Sequence, residues 1–167
     1  MLIIEPADPR ERGPRELIEA SHALMREMFD SEDIYALDVN DLCAPNMRFF
    51  AAREGCAVLG TGALAVMEDH GEVKSMFTDP AARGKGVATA LLGRIEDEAA
   101  AIGLTTLKLE TGKSLEGAIR LYERSGFVQC GIFGDYKPNS TSFYMKKRIV
   151  PKDPQSQVPV NPSSGNR

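Results

Sequence analysis

The sequence predicts a single domain of the mixed α/β or α+β class, in which helices flank a β-sheet. The chain has 167 residues, which is enough for one ordinary domain and too few for two. Hydrophobic residues make up 43% of the chain and charged residues 26%, as in globular proteins. Residues 72–111 have the pattern strand, helix, strand, which predicts a right-handed crossover and local parallel pairing of the two strands.

The N-terminal part predicts one strand and one helix. The segment LIIEP (2–6) is a short apolar strand that ends at a proline. Pro14 suits the first position of a helix, and residues 15–29 then place apolar side chains at helical spacing. Residues 30–46 are rich in Asp and Asn, so we expect a loop with at most a short helix there.

The middle of the chain predicts three consecutive strands and then a helix. The segments MRFFAAREG (47–55) and CAVLGTGALAVMED (56–69) predict a hairpin, and EVKSMFT (72–78) predicts the next strand. A helix is expected from about Gly86 to Ala101, because an apolar helical pattern ends there before Gly103.

The C-terminal part predicts a strand at LTTLKLET (104–111) and a helix at SLEGAIRLYERSG (114–126). Two closing strands follow at FVQC (127–130) and SFYMKKR (142–148). From residue 150 on, the chain is rich in Pro, Ser, Asn and Gln and has little to bury. We therefore expect a folded domain followed by a disordered tail over 150–167.

Composition argues against several classes of function. The net charge of −4 gives no basic surface for nucleic acid. Three cysteines (Cys43, Cys56 and Cys130) and two histidines lack the spacing of a metal site, so we expect reduced thiols and no metal. No apolar run reaches the length of a membrane span or a signal peptide, so we expect a cytoplasmic protein with no membrane partner.

The stretch TDPAARGKGVATALL (78–92) joins a strand to a helix through a glycine-rich turn. Gly84 and Gly86 let successive backbone N–H groups turn inward, where they can bind a phosphate at the positive end of the helix. Arg83 and Lys85 add positive charge beside them. On this motif alone, an ordinary exposed turn remains an equal alternative.

Two common phosphate-binding motifs do not match this turn. In the Walker motif, four residues separate the two glycines, and the second glycine is followed by Lys and then by Ser or Thr. Here only Lys85 separates Gly84 from Gly86, and Val87 follows Gly86. The dinucleotide motif G-x-G-x-x-G requires Gly or Ala where Thr89 stands.

A third pattern does match. Residues 83–88 (RGKGVA) fit Arg/Gln-x-x-Gly-x-Gly/Ala between a strand and a helix, and LETG and AIRLYERSGF follow downstream. This combination resembles the GNAT superfamily of acetyl-CoA-dependent N-acetyltransferases over about residues 2–148. The resemblance implies an acyl-CoA N-acyltransferase fold for residues 1–149, with a central mixed sheet of six to seven strands flanked by helices. It also implies acetyl-CoA as cosubstrate and no metal.

The resemblance assigns the pyrophosphate of coenzyme A to the glycine-rich turn and the pantetheine arm to the strand before it. The backbone N–H of Met76 would stabilise the negative charge that develops on the thioester oxygen. The residues implied in cofactor binding are Met76, Thr78, Arg83, Gly84, Lys85, Gly86, Val87, Ala88 and Thr89.

Two residues are expected to be catalytic. Tyr122 matches the family's tyrosine that protonates the departing thiolate, although an aromatic side chain packed on a helix face is the alternative. Glu72 lies four residues before Met76, which predicts that both share one face of the strand, and it could deprotonate the amine through water. A solvated glutamate at the strand end is equally compatible with the sequence. Glu110 is a weaker rival for the base.

The resemblance also implies that the first helix forms a wall of the acceptor pocket. His22 and Met25 are three residues apart and share a helix face, so both could contact the acceptor. A lone helical histidine is more often neutral and partly exposed, so this role remains open.

We expect an enzyme that acetylates a primary amine, with a small molecule as the leading acceptor and a protein or peptide as the alternative. Two further classes stay open, namely a non-catalytic acyl-CoA sensor and a nucleotide-phosphate binder. A homodimer formed through sheet edges or helix faces also stays open.

Overall fold

One mixed sheet forms the centre of the molecule. The computed structural model describes residues 1–153, so residues 154–167 of the predicted tail lie outside the described residues. Within residues 1–153, seven strands pair in the order β1-β2-β3-β4-β5-β7-β6, within the predicted range of six to seven. The strands are β1 (Leu2–Pro6), β2 (Met47–Glu54), β3 (Ala57–Val66), β4 (Gly71–Thr78), β5 (Thr106–Gly112), β6 (Val128–Gln129) and β7 (Ser142–Arg148).

The predicted helices are all present in this part of the chain. They are α1 (Arg12–Met28), α2 (Val87–Ala101) and α3 (Glu116–Arg124). α1 begins two residues before Pro14, which therefore lies in the first turn, where a backbone N–H has no partner within the helix. None of these helices is both long enough and apolar enough to cross a membrane.

Hydrophobic residues cover both faces of the sheet. On one face, Leu91 and Ile95 of α2 are fully buried in a large core that includes Leu64 of β3. On the other face, Ile18 of α1 packs in a smaller cluster with Ala63 of β3. Because neighbouring residues of β3 point to opposite faces, this one strand joins the two cores.

The sheet opens between β4 and β5. These strands pair in parallel, as predicted, but only at Gly71 with Leu107 and at Glu72 with Lys108. Beyond these two pairs the strands separate, while β4 stays paired with β3 and β5 stays paired with β7. The centre of the sheet therefore contains a wedge-shaped gap that no strand fills in the part of the chain that the structure describes.

A β-bulge lies in β4 beside this gap. Lys74 pairs with Ala63, whereas Phe77 pairs with Thr61, so β4 contains one residue more than β3 between the two pairs. Ser75 has a positive φ of 52°, an uncommon value for a residue other than glycine.

This bulge overturns the predicted geometry of Glu72 and Met76. Glu72 pairs with Ala65 and faces the α1 side, together with Lys74. Met76 faces the α2 side, where its sulfur lies over Gly62 beside Ile95. The prediction that Glu72 and Met76 share a face is therefore wrong, because the extra residue between them reverses the alternation of side chains.

The first residues of the predicted tail pack on the domain. The backbone N–H of Lys152 donates to the carbonyl of Ala100 at 2.9 Å, and its ammonium lies 3.3 Å from Asp97. Lys152 therefore lies beside the C-terminal end of α2.

Leu91→Ala should lower the free energy of unfolding by about 2–5 kcal/mol, because Leu91 is fully buried between α2 and the sheet. Urea denaturation measures this loss. Val128→Ala is the matched control: Val128 is 59% exposed on β6, so its loss should stay below about 1 kcal/mol. Equal losses in the two variants would contradict the core described above.

Candidate active site

Two connected cavities occupy the gap between β4 and β5. The outer groove, of about 870 Å³, runs between the end of β4, the glycine-rich turn and α3. The inner pocket, of about 130 Å³, lies between β4 and β5 beneath α1. Residues that line both cavities mark their junction: Ser21, Met25, Met76, Leu115 and Tyr122.

The glycine-rich turn forms one end of the outer groove. Gly84 and Gly86 have φ values of 79° and 78°, a left-handed conformation that favours glycine. A Cβ at either position would meet no other atom within 4 Å, so both glycines border open space. Gly86 is also the N-cap of α2, where unpaired N–H groups and the helix dipole favour an anion. The turn therefore suits a diphosphate.

Most residues predicted to bind the cofactor line the outer groove. Those that do so are Met76, Thr78, Arg83, Gly84, Gly86, Val87, Ala88 and Thr89. Lys85 is exposed and does not line this cavity, so only its backbone or its long-range charge would act on a ligand there. These binding roles stay predictions.

The edge of β4 supplies backbone groups to the same space. Ser75 and Met76 have no register partner in β3 or β5, because of the bulge and the separation of the strands. An extended ligand arm lying in the gap could therefore form hydrogen bonds like those of a strand. The predicted role of the Met76 N–H is compatible with this position and stays a prediction.

Tyr122 lies where the two cavities meet. It is 6% exposed, and its ring packs at 64° against Phe127 with the centroids 5.7 Å apart. Burial raises the pKa of its hydroxyl far above the ordinary value, and the nearby Glu110 carboxylate raises that pKa further. The hydroxyl is therefore neutral at any physiological pH and can donate a proton or a hydrogen bond into the junction.

Glu110, on β5, lines the inner pocket. Burial raises the pKa of its carboxyl, while a hydrogen bond from Ser142 and the charge of Lys74 partly oppose this shift. The negative charge of Glu72 acts in the same direction as burial. A carboxylate with a raised pKa is a better proton acceptor near neutral pH than an exposed one.

Glu72 is buried beside the inner pocket but does not line it. The side chains of Lys74 and Tyr136 hold one of its carboxylate oxygens. The Lys74 ammonium lies 3.2 Å from that oxygen and donates to the Tyr136 hydroxyl at 2.6 Å. The second Glu72 oxygen faces Nε2 of His70 at 4.0 Å. Lys74, which does line the pocket, therefore separates Glu72 from its interior.

Tyr136 is a site residue that the sequence analysis did not name. Its ring contacts Tyr35 edge to face with the centroids 4.8 Å apart, and burial raises the pKa of its hydroxyl well above the ordinary range. Tyr35 itself lines the inner pocket. Tyr136 belongs to a loop with no periodic pattern, whereas Lys74 could have been noticed as a lone cation within an apolar strand.

His22 and Met25 both line the inner pocket, as the helical spacing predicted. Nε2 of His22 lies 2.9 Å from the carbonyl of Leu37, which can only accept, so this nitrogen must carry the proton. The contact fastens α1 to the loop before β2. A contact of either side chain with a substrate stays a prediction.

Comparison with known families gives a consistent result. A family model described as the acetyltransferase (GNAT) family matches residues 15–127, about two thirds of the chain. An IAA acetyltransferase of Azospirillum brasilense is 42% identical over 143 residues, which cover 84% of this chain and 94% of that protein.

Solved structures share the fold. A Klebsiella pneumoniae protein described as an acyl-CoA N-acyltransferase superposes with a TM-score of 0.76 at 29% identity, covering 90% of this chain and 99% of the other. A GNAT family acetyltransferase from Elizabethkingia anophelis with acetyl-CoA bound superposes with a TM-score of 0.67 at 15% identity. That match covers 89% of this chain and 98% of the other.

Glu110→Gln should stabilise the protein at pH 8 and have little effect at pH 4. Because the folded-state pKa of Glu110 is raised, the folded state binds its proton more tightly than the unfolded state and loses stability as pH rises through that pKa. Glutamine does not ionise, so the variant does not lose this stability as the pH rises. Urea denaturation at both pH values measures the difference.

Glu123→Gln, at an exposed glutamate of α3, is the matched control and should show no such pH-dependent gain. If Glu110→Gln is equally destabilising at pH 4 and pH 8, the described environment of this carboxylate is wrong.

Proposed function

Because the chain belongs to the GNAT family of acetyltransferases, we propose that it transfers the acetyl group of acetyl-CoA to a primary amine of a small molecule. The amine attacks directly while both substrates are bound. The observation that carries this proposal is the junction at Tyr122. There, a long groove ending in an anion-binding turn meets a small pocket that contains a carboxylate of raised pKa.

The outer groove has the groups that acetyl-CoA binding would require. The N–H groups of the glycine-rich turn and the start of α2 would hold the pyrophosphate, with Arg83 beside them. The unpaired edge of β4 at Ser75 and Met76 would hold the pantetheine arm. Acetyl-CoA, when bound, supplies a thioester whose carbonyl carbon accepts the amine nitrogen and whose sulfur leaves as a thiolate.

The chain's own residues would act at three points of this reaction. Glu110 removes one proton from the acceptor nitrogen, which then forms the new C–N bond. The backbone N–H of Met76 stabilises the negative charge on the carbonyl oxygen while that bond forms. As the C–S bond breaks, Tyr122 gives its proton to the sulfur and free CoA leaves as the thiol, while the second proton lost by the acylated nitrogen restores the Tyr122 hydroxyl and leaves a neutral amide. Positioning in the gap supplies much of the remaining rate enhancement.

The inner pocket supports a small acceptor. Its volume of about 130 Å³ is small, and it is bordered by α1, Tyr35 and the two separated strands. A protein or peptide acceptor would need an open approach for an extended chain, so it is the second candidate. A sensor that only binds acyl-CoA has no use for Tyr122 and Glu110 at the junction, which disfavours a purely binding role.

Glu110 is the better placed of the two candidate bases. It lines the pocket, whereas Glu72 lies behind Lys74 with its carboxylate already bound by two side chains. Glu72 would therefore hold Lys74 in position rather than receive the proton of the amine. Both roles are proposals that the variants below separate.

Tyr122→Phe should lower kcat by roughly 10²- to 10⁴-fold without weakening acetyl-CoA binding, because it removes only the proton donor of the leaving thiolate. Release of free CoA with a panel of primary amines measures kcat, and calorimetry measures the affinity for acetyl-CoA. If the parent protein binds acetyl-CoA but turns over no amine, the chain is a sensor rather than an enzyme. If it binds no acetyl-CoA, the whole proposal fails.

Glu110→Gln should lower kcat by roughly 10²- to 10⁴-fold at pH 7, because the amide cannot accept the proton of the amine. Glu72→Gln is the matched comparison. It should lower kcat by less than about tenfold while reducing stability, since it leaves the Lys74 ammonium without its counter-charge. A large loss of kcat in Glu72→Gln, with Glu110→Gln near the parent value, would assign the base to Glu72.

A further inference from the structure

Two side chains of opposite charge line the inner pocket. Lys74 reaches it from β4, and Glu110 reaches it from β5. From this arrangement we infer that the acceptor is a zwitterion of the amino-acid type, with a carboxylate that binds Lys74 next to the amine that Glu110 deprotonates. This inference rests on the proposed function and goes further by naming the class of acceptor.

The ammonium of Lys74 is fixed at the pocket wall. It donates to Glu72 and to the Tyr136 hydroxyl, which accounts for two of its three N–H groups. Among the residues that the structure describes, no acceptor takes the third. The Lys74 side chain is only 15% exposed, so few other positions are open to the ammonium. A held cation with a spare donor is a suitable partner for a carboxylate.

The Glu72–Lys74 pair presents its positive end to the pocket. Glu72 is 6% exposed and does not line the cavity, while Lys74 does. The neighbours of this pair on β3 are the small residues Ala63 and Ala65. Burying two charges here gives no more stability than an apolar pair of similar volume would give. Recognition of the acceptor would explain why this buried ion pair is present although it adds little stability.

The two charges discriminate between classes of amine. A simple amine arrives as a cation, which Glu110 attracts, as does Glu72 from behind Lys74. The nearer Lys74 ammonium repels this cation, which also leaves the spare N–H of Lys74 without an acceptor. A polyamine brings a second cation into the same small space, so the repulsion increases. An amino acid brings its own carboxylate, so that each of its charges meets one of opposite sign. An amino-acid amide or a peptide N-terminus lacks that carboxylate and leaves Lys74 unpaired.

The remaining walls fit a side chain of modest size. Ile18 and Met25 of α1 and the ring of Tyr35 are among the apolar groups that line it. The whole pocket has a volume of about 130 Å³, so a small aliphatic amino-acid side chain suits it.

The experiment compares matched acceptors that differ only in the carboxylate. Free CoA release by the full chain with acetyl-CoA is measured at pH 8 for leucine, leucinamide and 3-methylbutylamine, and for putrescine as a diamine. We expect kcat/KM for leucine to exceed that for each of the others by roughly 10- to 100-fold, as for one hydrogen bond to a charged group. The amide has the less basic amine, so this preference cannot come from a larger fraction of free base.

Variants then test whether Lys74 causes the preference. Lys74→Met alone leaves Glu72 buried without its counter-charge and could fail to fold. The double variant Glu72→Gln/Lys74→Met removes both charges, and the introduced amide can still accept from Tyr136. It should reduce the ratio of leucine to leucinamide to near one. Lys74→Arg should keep the ratio, as should Lys108→Met, which removes a lysine of β5 that does not line the pocket.

Three outcomes would overturn the inference in distinguishable ways. If leucinamide or 3-methylbutylamine is used as well as leucine, the acceptor is not selected by its carboxylate. If the preference survives in Glu72→Gln/Lys74→Met, another group binds the carboxylate. If acetyl-CoA binds but no amine of any class is acetylated, the proposed function itself fails, and this inference fails with it.

Discussion

The separation of β4 from β5 is the constraint on which the candidate site depends. Only two residue pairs join these strands, and beyond them each strand keeps its other neighbour. A central pair of strands that part in this way leaves backbone groups unpaired in the middle of the sheet, where they normally require partners. Under the proposed function, these unpaired groups would bind an extended ligand arm in the gap. The position of the gap fixes where the outer groove, the inner pocket and Tyr122 meet.

The bulge at Ser75 determines to which face of the sheet each side chain of β4 points beside the gap. Without the extra residue, Met76 would lie on the same face as Glu72 and Lys74. With it, Met76 closes the α2 side of the gap, while Lys74 faces α1 and the inner pocket. Under the proposed function, this single strand would contribute a backbone edge for acetyl-CoA and a cation for the acceptor. The positive φ of Ser75 is the local conformational cost of this division.

Several buried polar side chains lie around the inner pocket. Glu72, Lys74 and Tyr136 form one hydrogen-bonded group, and Glu110 lies opposite with a raised carboxyl pKa. Such networks seldom add net stability, but they hold charges in fixed positions within a medium of low dielectric constant. Rings of Tyr35, Phe133 and Tyr144 around Tyr136 keep this group away from water.

The sequence by itself determined every strand and helix to within a few residues, the parallel pairing after β4, and the glycine-rich turn at the start of α2. These features follow from local periodicity and from the conformations that glycine allows. It also singled out Tyr122 and the face of α1 that carries His22 and Met25, but it favoured Glu72 as the base and gave Glu110 only as a weaker rival. Only the tertiary structure decided that Glu72 lies behind Lys74, that Tyr136 covers it and that Met76 faces the opposite side. Those facts depend on one inserted residue in a strand and on contacts between residues more than sixty positions apart, which no local pattern encodes.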